Sequence, residues 1–207
     1  MGGEIMSKRV SEILLDIEAV KIQPNDPFTW ASGIKSPIYC DNRKTIGFPK
    51  ERKELITLFI EKIKENYSDV EVIAGTATAG IPHAAFLAAG LDLPMVYVRG
   101  EKKKHGAGKQ IEGGDVEGKK VILIEDLFST GGSSLKAADA LKEAGAEVIS
   151  VMSVFSYELD VLKENFEAAG LEYRSLSTID EMLELCEETN RLSEADIEVV
   201  KNFRDNL

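Results

Sequence analysis

An α/β fold, a parallel sheet flanked by helices, is what the sequence predicts, and three observations carry it. From Val70 onward, short runs of aliphatic and β-branched residues alternate with segments of helical periodicity, the pattern of successive strand–helix units. One of these runs, Val121-Ile122-Leu123-Ile124, is apolar without interruption, as in a strand covered on both faces. The turns after Val70–Ala74 and after Val121–Ile124 are rich in Gly, Ser and Thr, and in parallel sheets ligands collect at the carboxyl ends of the strands.

The elements follow in order. Ile13, Leu14, Ile17 and Val20 form one stripe, which predicts a helix over Ile5 to Val20. Residues 22 to 48 carry turn formers throughout, with room for short strands around Phe28–Ala31 and Pro37–Cys40. Leu55, Leu58, Phe59 and Ile63 make Lys50 to Asn66 an amphipathic helix. Val70–Ala74 reads as a strand, Gly75 to Gly80 as a tight turn, and the chain to about Ala89 as a helix. Met95–Val98 is the next strand, and Arg99 to Gly118 a polar, glycine-rich loop. After the Val121 strand, Leu135, Ala138 and Leu141 mark a helix that stops at Gly145, a residue suited to a helix C-terminus. Val148–Phe155 is a strand, Leu159–Ala169 a helix, and Glu172–Leu176 an extended segment. Helices near Ile179–Glu188 and Ser193–Asn206 finish the chain; Ser193 and Asp196 form a capping-box pattern. The whole of 1–207 reads as one domain: a small hood mainly over 1–49, an α/β core over about 50–176, and C-terminal helices over about 178–206.

The 207 residues suffice for one substantial core, and hydrophobic and charged contents of 43% and 29% are those of an ordinary globular protein. A net charge of −11 argues against a nucleic-acid partner, which calls for a basic surface. The two cysteines, Cys40 and Cys186, lack metal-ligand spacing and read as free thiols, and two histidines are too few for a structural zinc site. The most apolar region, Val70 to Val98, is broken by Gly and Pro and does not read as a membrane span. No signal-peptide pattern opens the chain, so the expectation is a cytoplasmic protein.

The chemistry concentrates in KKVILIEDLFSTGGSS, residues 119–134. Glu125 and Asp126 follow the apolar run, and Ser129, Thr130, Gly131, Gly132 and Ser133 open the next helix. Glycines allow close backbone approach, consecutive N–H groups make a concave anion site, and the helix dipole adds positive potential. That suits a phosphate monoester. The carboxylates repel phosphate, so they suit sugar hydroxyls or a metal ion carrying phosphate oxygens. A phosphorylated sugar satisfies both halves; a glycine-rich connection beside a solvated acidic pair is the bland alternative.

Arg99 to Lys109, RGEKKKHGAGK, places five basic side chains and one acidic in an acidic protein. A polar connection of about 20 residues inside a compact domain is usually functional or disordered. Cations on a glycine-hinged lid beside a phosphate site would allow entry, closure and release.

The 119–134 stretch resembles the phosphoribosyl-pyrophosphate (PRPP) motif of the type I phosphoribosyltransferases. Arg99, Lys103, His105 and Gly106 resemble the catalytic loop of the branch that uses orotate. FTWASGIKSPIYCD, residues 28–41, resembles that branch's base-binding hood, and GTATAGIP, residues 75–82, its pyrophosphate loop. Departures stand at Ala31, Thr78-Ala79 and Gly100, where some members carry basic or aromatic residues; they read as a subgroup difference. The resemblance implies a type I phosphoribosyltransferase-like sheet and transfer of phosphoribose from PRPP to orotate with Mg2+. It implies catalytic roles for Lys103, Arg99, His105, Glu125 and Asp126, and PRPP contacts from these and from Leu127, Phe128, Ser129, Thr130, Gly131, Gly132 and Ser133. Ser129, Tyr39 and Arg43 are its candidates for orotate, with Lys35 a further cation nearby. Mg2+ would be held through PRPP with no firm protein ligand. Partners would be PRPP and orotate, with no nucleic acid or membrane, and a homodimer in which loop 99–114 reaches the partner's site. A sister transferase acting on a purine or uracil, and a non-catalytic PRPP-sensing regulator, remain as alternatives.

Overall fold

The computed structural model describes residues 2–29, 33–100 and 110–207. Helix α1 (Gly2–Asp16) leads into a small hood made of two antiparallel pairs: β1 (Val20–Ile22) with β4 (Ile38–Cys40), and β2 (Phe28–Thr29) with β3 (Lys35–Ser36). A short 3-10 helix, Asn42–Gly47, joins the hood to α2 (Pro49–Asn66). The core alternates β5 (Val72–Thr76), α3 (Gly80–Leu91), β6 (Met95–Val98), β7 (Ile111–Glu112), β8 (Lys120–Phe128), α4 (Gly132–Glu143), β9 (Glu147–Ser156), α5 (Asp160–Ala169) and β10 (Tyr173–Thr178). Helices α6 (Ile179–Glu188) and α7 (Glu194–Asp205) close the chain.

The central sheet has the order β10-β9-β8-β5-β6-β7, parallel except for β7, which runs antiparallel to β6. Alternation along β8 sorts its side chains. Ile122 and Ile124 pack with α1, α2 and α3, whereas Val121 and Leu123 pack with α4 and α5. Both faces are therefore covered, which is why this strand reads as an unbroken apolar run. Four phenylalanines, Phe59, Phe128, Phe155 and Phe166, are among the largest fully buried side chains.

Several boundaries differ from the sequence expectation, each for a local reason. Helix α1 stops at Asp16, because Glu18 turns with φ 56 and Val20 pairs with Cys40. The strand expected at Val70–Ala74 lies two residues later, since Val70 N–H is spent on a turn to Tyr67 and the ladder starts with Glu71 N–H to Lys120. Gly75 and Thr76 are thus strand, not turn. The strand expected at Val121–Ile124 continues through the acidic pair to Phe128, because β9 keeps pairing as far as Ser156. The loop from Arg99 contains an edge strand, β7. Glu181 completes a capping box with Thr178 that the sequence reading did not single out; the one at Ser193 and Asp196 is present. Among the described residues no helix is long and apolar enough to cross a membrane.

Candidate active site

The carboxyl ends of β5, β6 and β8 meet at one edge of the sheet. Glu125, near the end of β8, is buried, and Ser133 Oγ and Ser134 Oγ donate to its Oε2 at 3.2 and 3.1 Å. Asp126 N–H donates to Glu125 Oε1 at 3.1 Å. Burial, and then the hydrogen bond and charge of Asp126, push the Glu125 carboxyl up to about 8. Glu125 therefore braces the loop from within. Asp126 is partly exposed, and along the strand it shares the face of Ile122 and Ile124, towards α3 and the hood.

The following loop is open. Ser129, Thr130, Gly132 and Ser133 are exposed, and among the described residues no side chain caps the first turn of α4. Gly131 adopts φ 77 and lies so close to Leu162 and Phe166 that a Cβ would come within 2.9 and 2.7 Å of their side chains. Asn165 Nδ2 donates to the Thr130 carbonyl at 2.9 Å and fixes the loop's outer side. Free N–H groups at a helix N-terminus, with hydroxyls around them, make an anion site. Leu127 is partly exposed, while the Phe128 side chain is fully buried against Phe166 and Tyr173. The Phe128 carbonyl accepts from Tyr157 N–H at 3.0 Å.

The turn after β5 approaches from one side. Gly80 opens α3 with its Cα against β8; a Cβ there would lie 2.4 Å from the Ile124 carbonyl oxygen. A cavity of about 280 Å3 lies between this turn, the end of β6 and α4, lined by Thr76, Arg99, Gln110, Ser133 and Lys136 among others. Thr76 is 4% exposed, and its hydroxyl has no partner among the described residues. Thr76 falls in the 75–82 stretch that resembles a pyrophosphate loop; Lys136 was not singled out from sequence, since on the exposed side of an ordinary amphipathic helix it carries no local signal.

Arg99 stands at the base of the basic loop. Its N–H donates to the Gln110 carbonyl at 2.9 Å, Gln110 Nε2 donates back to the Arg99 carbonyl at 2.9 Å, and its guanidinium lies 3.7 Å from Glu112. Residues 99 and 110, at the two ends of the loop, are thus clamped side by side. Lys103 and His105 lie outside the described residues.

The hood covers the other side. Tyr39 is 41% exposed and packs against Phe28 with ring centroids 5.7 Å apart. Arg43 Nε donates to Asp41 Oδ1 at 2.6 Å, which raises its affinity for its proton and spends much of its charge locally. Lys35 Nζ donates to Thr29 Oγ1 at 2.8 Å. Asn42, also not singled out from sequence, is fully buried, and its Nδ2 donates to the Asp126 carbonyl at 2.7 Å. His83 on α3 is likewise fully buried, and neither ring nitrogen has a hydrogen-bond partner among the described residues; burial lowers its proton affinity, opposed by the Asp126 charge.

A larger hollow of about 560 Å3 lies between α5 and α7, lined by Glu158, Lys163, Tyr173 and Arg204 among others. Arg204, a half-buried cation there, is held by Asp180 and Asp205. Among the described residues no three His, Cys, Asp or Glu side chains cluster as a metal site. The donors beside the anion loop are carboxylates and hydroxyls, the oxygen chemistry that Mg2+ accepts when phosphate oxygens and waters complete its shell.

Residues 48–181 match the model of the phosphoribosyl transferase domain. The chain is 54% identical over 201 residues to an orotate phosphoribosyltransferase of Listeria innocua, covering 97% of this chain and 96% of that one. Among solved structures it is similar to the orotate phosphoribosyltransferase of Aeropyrum pernix, with TM-score 0.76, 27% identity, and coverage of 89% of this chain and 99% of that one. It is also similar to the Mycobacterium tuberculosis orotate phosphoribosyltransferase in complex with PRPP, with TM-score 0.67, 26% identity, and coverage of 84% and 98%.

Proposed function

The chain belongs to the orotate phosphoribosyltransferase family of phosphoribosyl transferase domain proteins, and from that premise we propose how its own residues carry the reaction. PRPP and orotate give orotidine 5′-monophosphate and pyrophosphate. The bond from C1 to the pyrophosphate oxygen breaks, its electron pair leaves with oxygen, and a ring nitrogen of orotate bonds to C1 and gives up its proton to the departing pyrophosphate or to solvent. Positive charge grows on the ribose as negative charge grows on the leaving group, and each needs its own stabiliser.

The exposed Ser129–Ser133 loop and the uncapped start of α4 receive the 5′-phosphate and fix C1 in place. Asp126 faces the ribose hydroxyls and favours positive character on the ring. Glu125, held by two serines, keeps the loop in shape and stands with Asp126 as the acidic pair beside the ribose hydroxyls. Lys103, with His105 and Arg99, meets the charge of the departing pyrophosphate. Mg2+ would enter with the pyrophosphate, held through PRPP with no firm protein ligand, and would neutralise phosphate charge. Tyr39 offers an aromatic face to orotate, and Ser129 a hydroxyl. Arg43 is the weaker candidate for the orotate carboxylate because Asp41 already holds it. The chain acts as a homodimer in which the loop 99–114 reaches the partner's site, in the cytoplasm, where Cys40 and Cys186 stay free.

One observation carries this reading: a single strand, β8, delivers an acidic pair directly into an open, uncapped helix start, beside the clamped base of a basic loop. The test is loss of orotate absorbance with PRPP and Mg2+, run beside uracil, adenine, hypoxanthine and xanthine. Pyrophosphate release with orotate alone is expected. Release with a purine or uracil instead would move the chain to a sister activity, and no release with any base would remove the catalytic assignment.

A further inference from the structure

The backbone of β8 raises a question at Asp126. In a parallel ladder, successive peptide groups face alternate neighbours. The Lys120 carbonyl accepts from Glu71 N–H on the β5 side, and the Lys119 carbonyl accepts from Glu147 N–H on the β9 side. Asp126 has no pair of its own in the β8–β9 register, which passes from Glu125 with Ser153 to Leu127 with Phe155. Pairing between β5 and β8 ends at Gly75 with Ile124, because the chain turns away after Thr76. Asp126 therefore reaches the sheet edge with a donor and an acceptor that the ladder does not serve. Side chains take both: Glu125 Oε1 accepts its N–H, and Asn42 Nδ2 donates to its carbonyl at 2.7 Å.

The second of these bonds ties together separate parts of the chain. Asn42 opens the 3-10 helix that leaves the hood, one residue after Asp41, whose N–H donates to the Ala19 carbonyl. The amide is 0% exposed, so its hydrogen bond forms out of water, where losing it leaves a buried carbonyl unsatisfied. Thr45 Oγ1 donates to the Asn42 carbonyl at 2.7 Å and holds the backbone of the turn without touching Asp126.

We propose that Asn42 is a positioning residue for Asp126: its side-chain amide replaces the missing strand partner and sets the height and orientation of that carboxylate beneath the hood. The inference rests on the reading of Asp126 as the ribose-facing carboxylate. Asn42 touches no reacting atom in this account; it acts through the Asp126 peptide, and it couples the seat of the base to the seat of the sugar.

The test compares Asn42→Asp, nearly the same shape without the donor, and Asn42→Leu with Thr45→Ala, each as the full chain. Folding is read by circular dichroism, PRPP binding by calorimetry with Mg2+, and turnover by orotate consumption. Both Asn42 variants are expected to lose about tenfold or more in kcat with PRPP affinity changed less than about threefold, as for a carboxylate displaced by a fraction of an ångström. Thr45→Ala is expected to unfold at lower temperature with kcat close to wild type. A folded Asn42 variant with wild-type kcat would overturn the inference, as would an equal loss in Thr45→Ala, which would make the turn a structural link only. Failure of both Asn42 variants to fold would overturn it in the same way. Wild-type protein that binds no PRPP would instead remove the underlying reading of Asp126, so the two failures are distinct.

Discussion

Replacing Gly80 by alanine adds one carbon where the start of α3 meets β8. The new Cβ would lie 2.4 Å from the Ile124 carbonyl oxygen, 3.2 Å from its carbon and 3.3 Å from Glu125 Cα. A relaxed contact needs about 3.5 Å, so helix or strand must give by about 1 Å. Both sides are backbone, and neither can rotate away. Overpacking of this kind costs about 1–3 kcal/mol, offset by about 1 kcal/mol of better helix propensity for alanine. The net loss is about 0–2 kcal/mol, or a few degrees in Tm for a chain of this size. Activity should suffer far more, because the displaced atoms belong to Ile124 and Glu125, and a shift of about 1 Å can cost about 100-fold in rate. Gly90, in the same helix, is the control. There a Cβ would meet only Ile60 Cδ1, at 2.5 Å, the tip of a side chain that can change rotamer. Calorimetric Tm and kcat for orotate consumption are the measurements. Gly90→Ala should keep its kcat and Gly80→Ala should lose most of it. A Gly80→Ala protein that turns over within about twofold of wild type would refute the argument.

The remaining expectations concern charge. Glu125 holds its proton to a higher pH in the folded protein than in the unfolded chain, so its contribution to stability is lost as pH rises from the ordinary carboxylate range to about 8. The Tm of Glu125→Gln minus that of wild type should therefore grow over that range in the absence of ligand; a constant difference would show that the carboxyl is not held neutral. His83 behaves in the opposite sense: burial lowers its proton affinity, so stability is present above the ordinary imidazole range and lost as pH falls through it. His83→Leu should lose less Tm than wild type between about pH 7 and 5, and an equal loss would place the acid sensitivity elsewhere. Lys103→Ala should lower kcat by about 100-fold while PRPP affinity changes little, as for a group that acts on charge formed in the transition state; unchanged turnover would remove the loop from the chemistry. Mixed dimers of Lys103→Ala and Asp126→Asn subunits should recover activity, and none in verified mixed dimers would count against shared sites.

The sequence by itself determined the strand–helix order, the covered strand at Val121, and the contiguous loop Ser129–Ser133 with its acidic neighbours. These are local facts: a two-faced strand must be apolar throughout, and an anion turn must bring glycines and hydroxyls within a few residues of a helix start. Only the tertiary structure decided the different surroundings of Glu125 and Asp126, because they depend on which neighbour each faces. Burial and two serines hold Glu125, whereas Asp126 looks towards the hood. It also decided that β8 outlasts β5, and that Asn42, eighty-four positions away along the chain, supplies the bond the ladder lacks. No pattern near Asn42 announces that role, since the need for it arises from where another strand turns away.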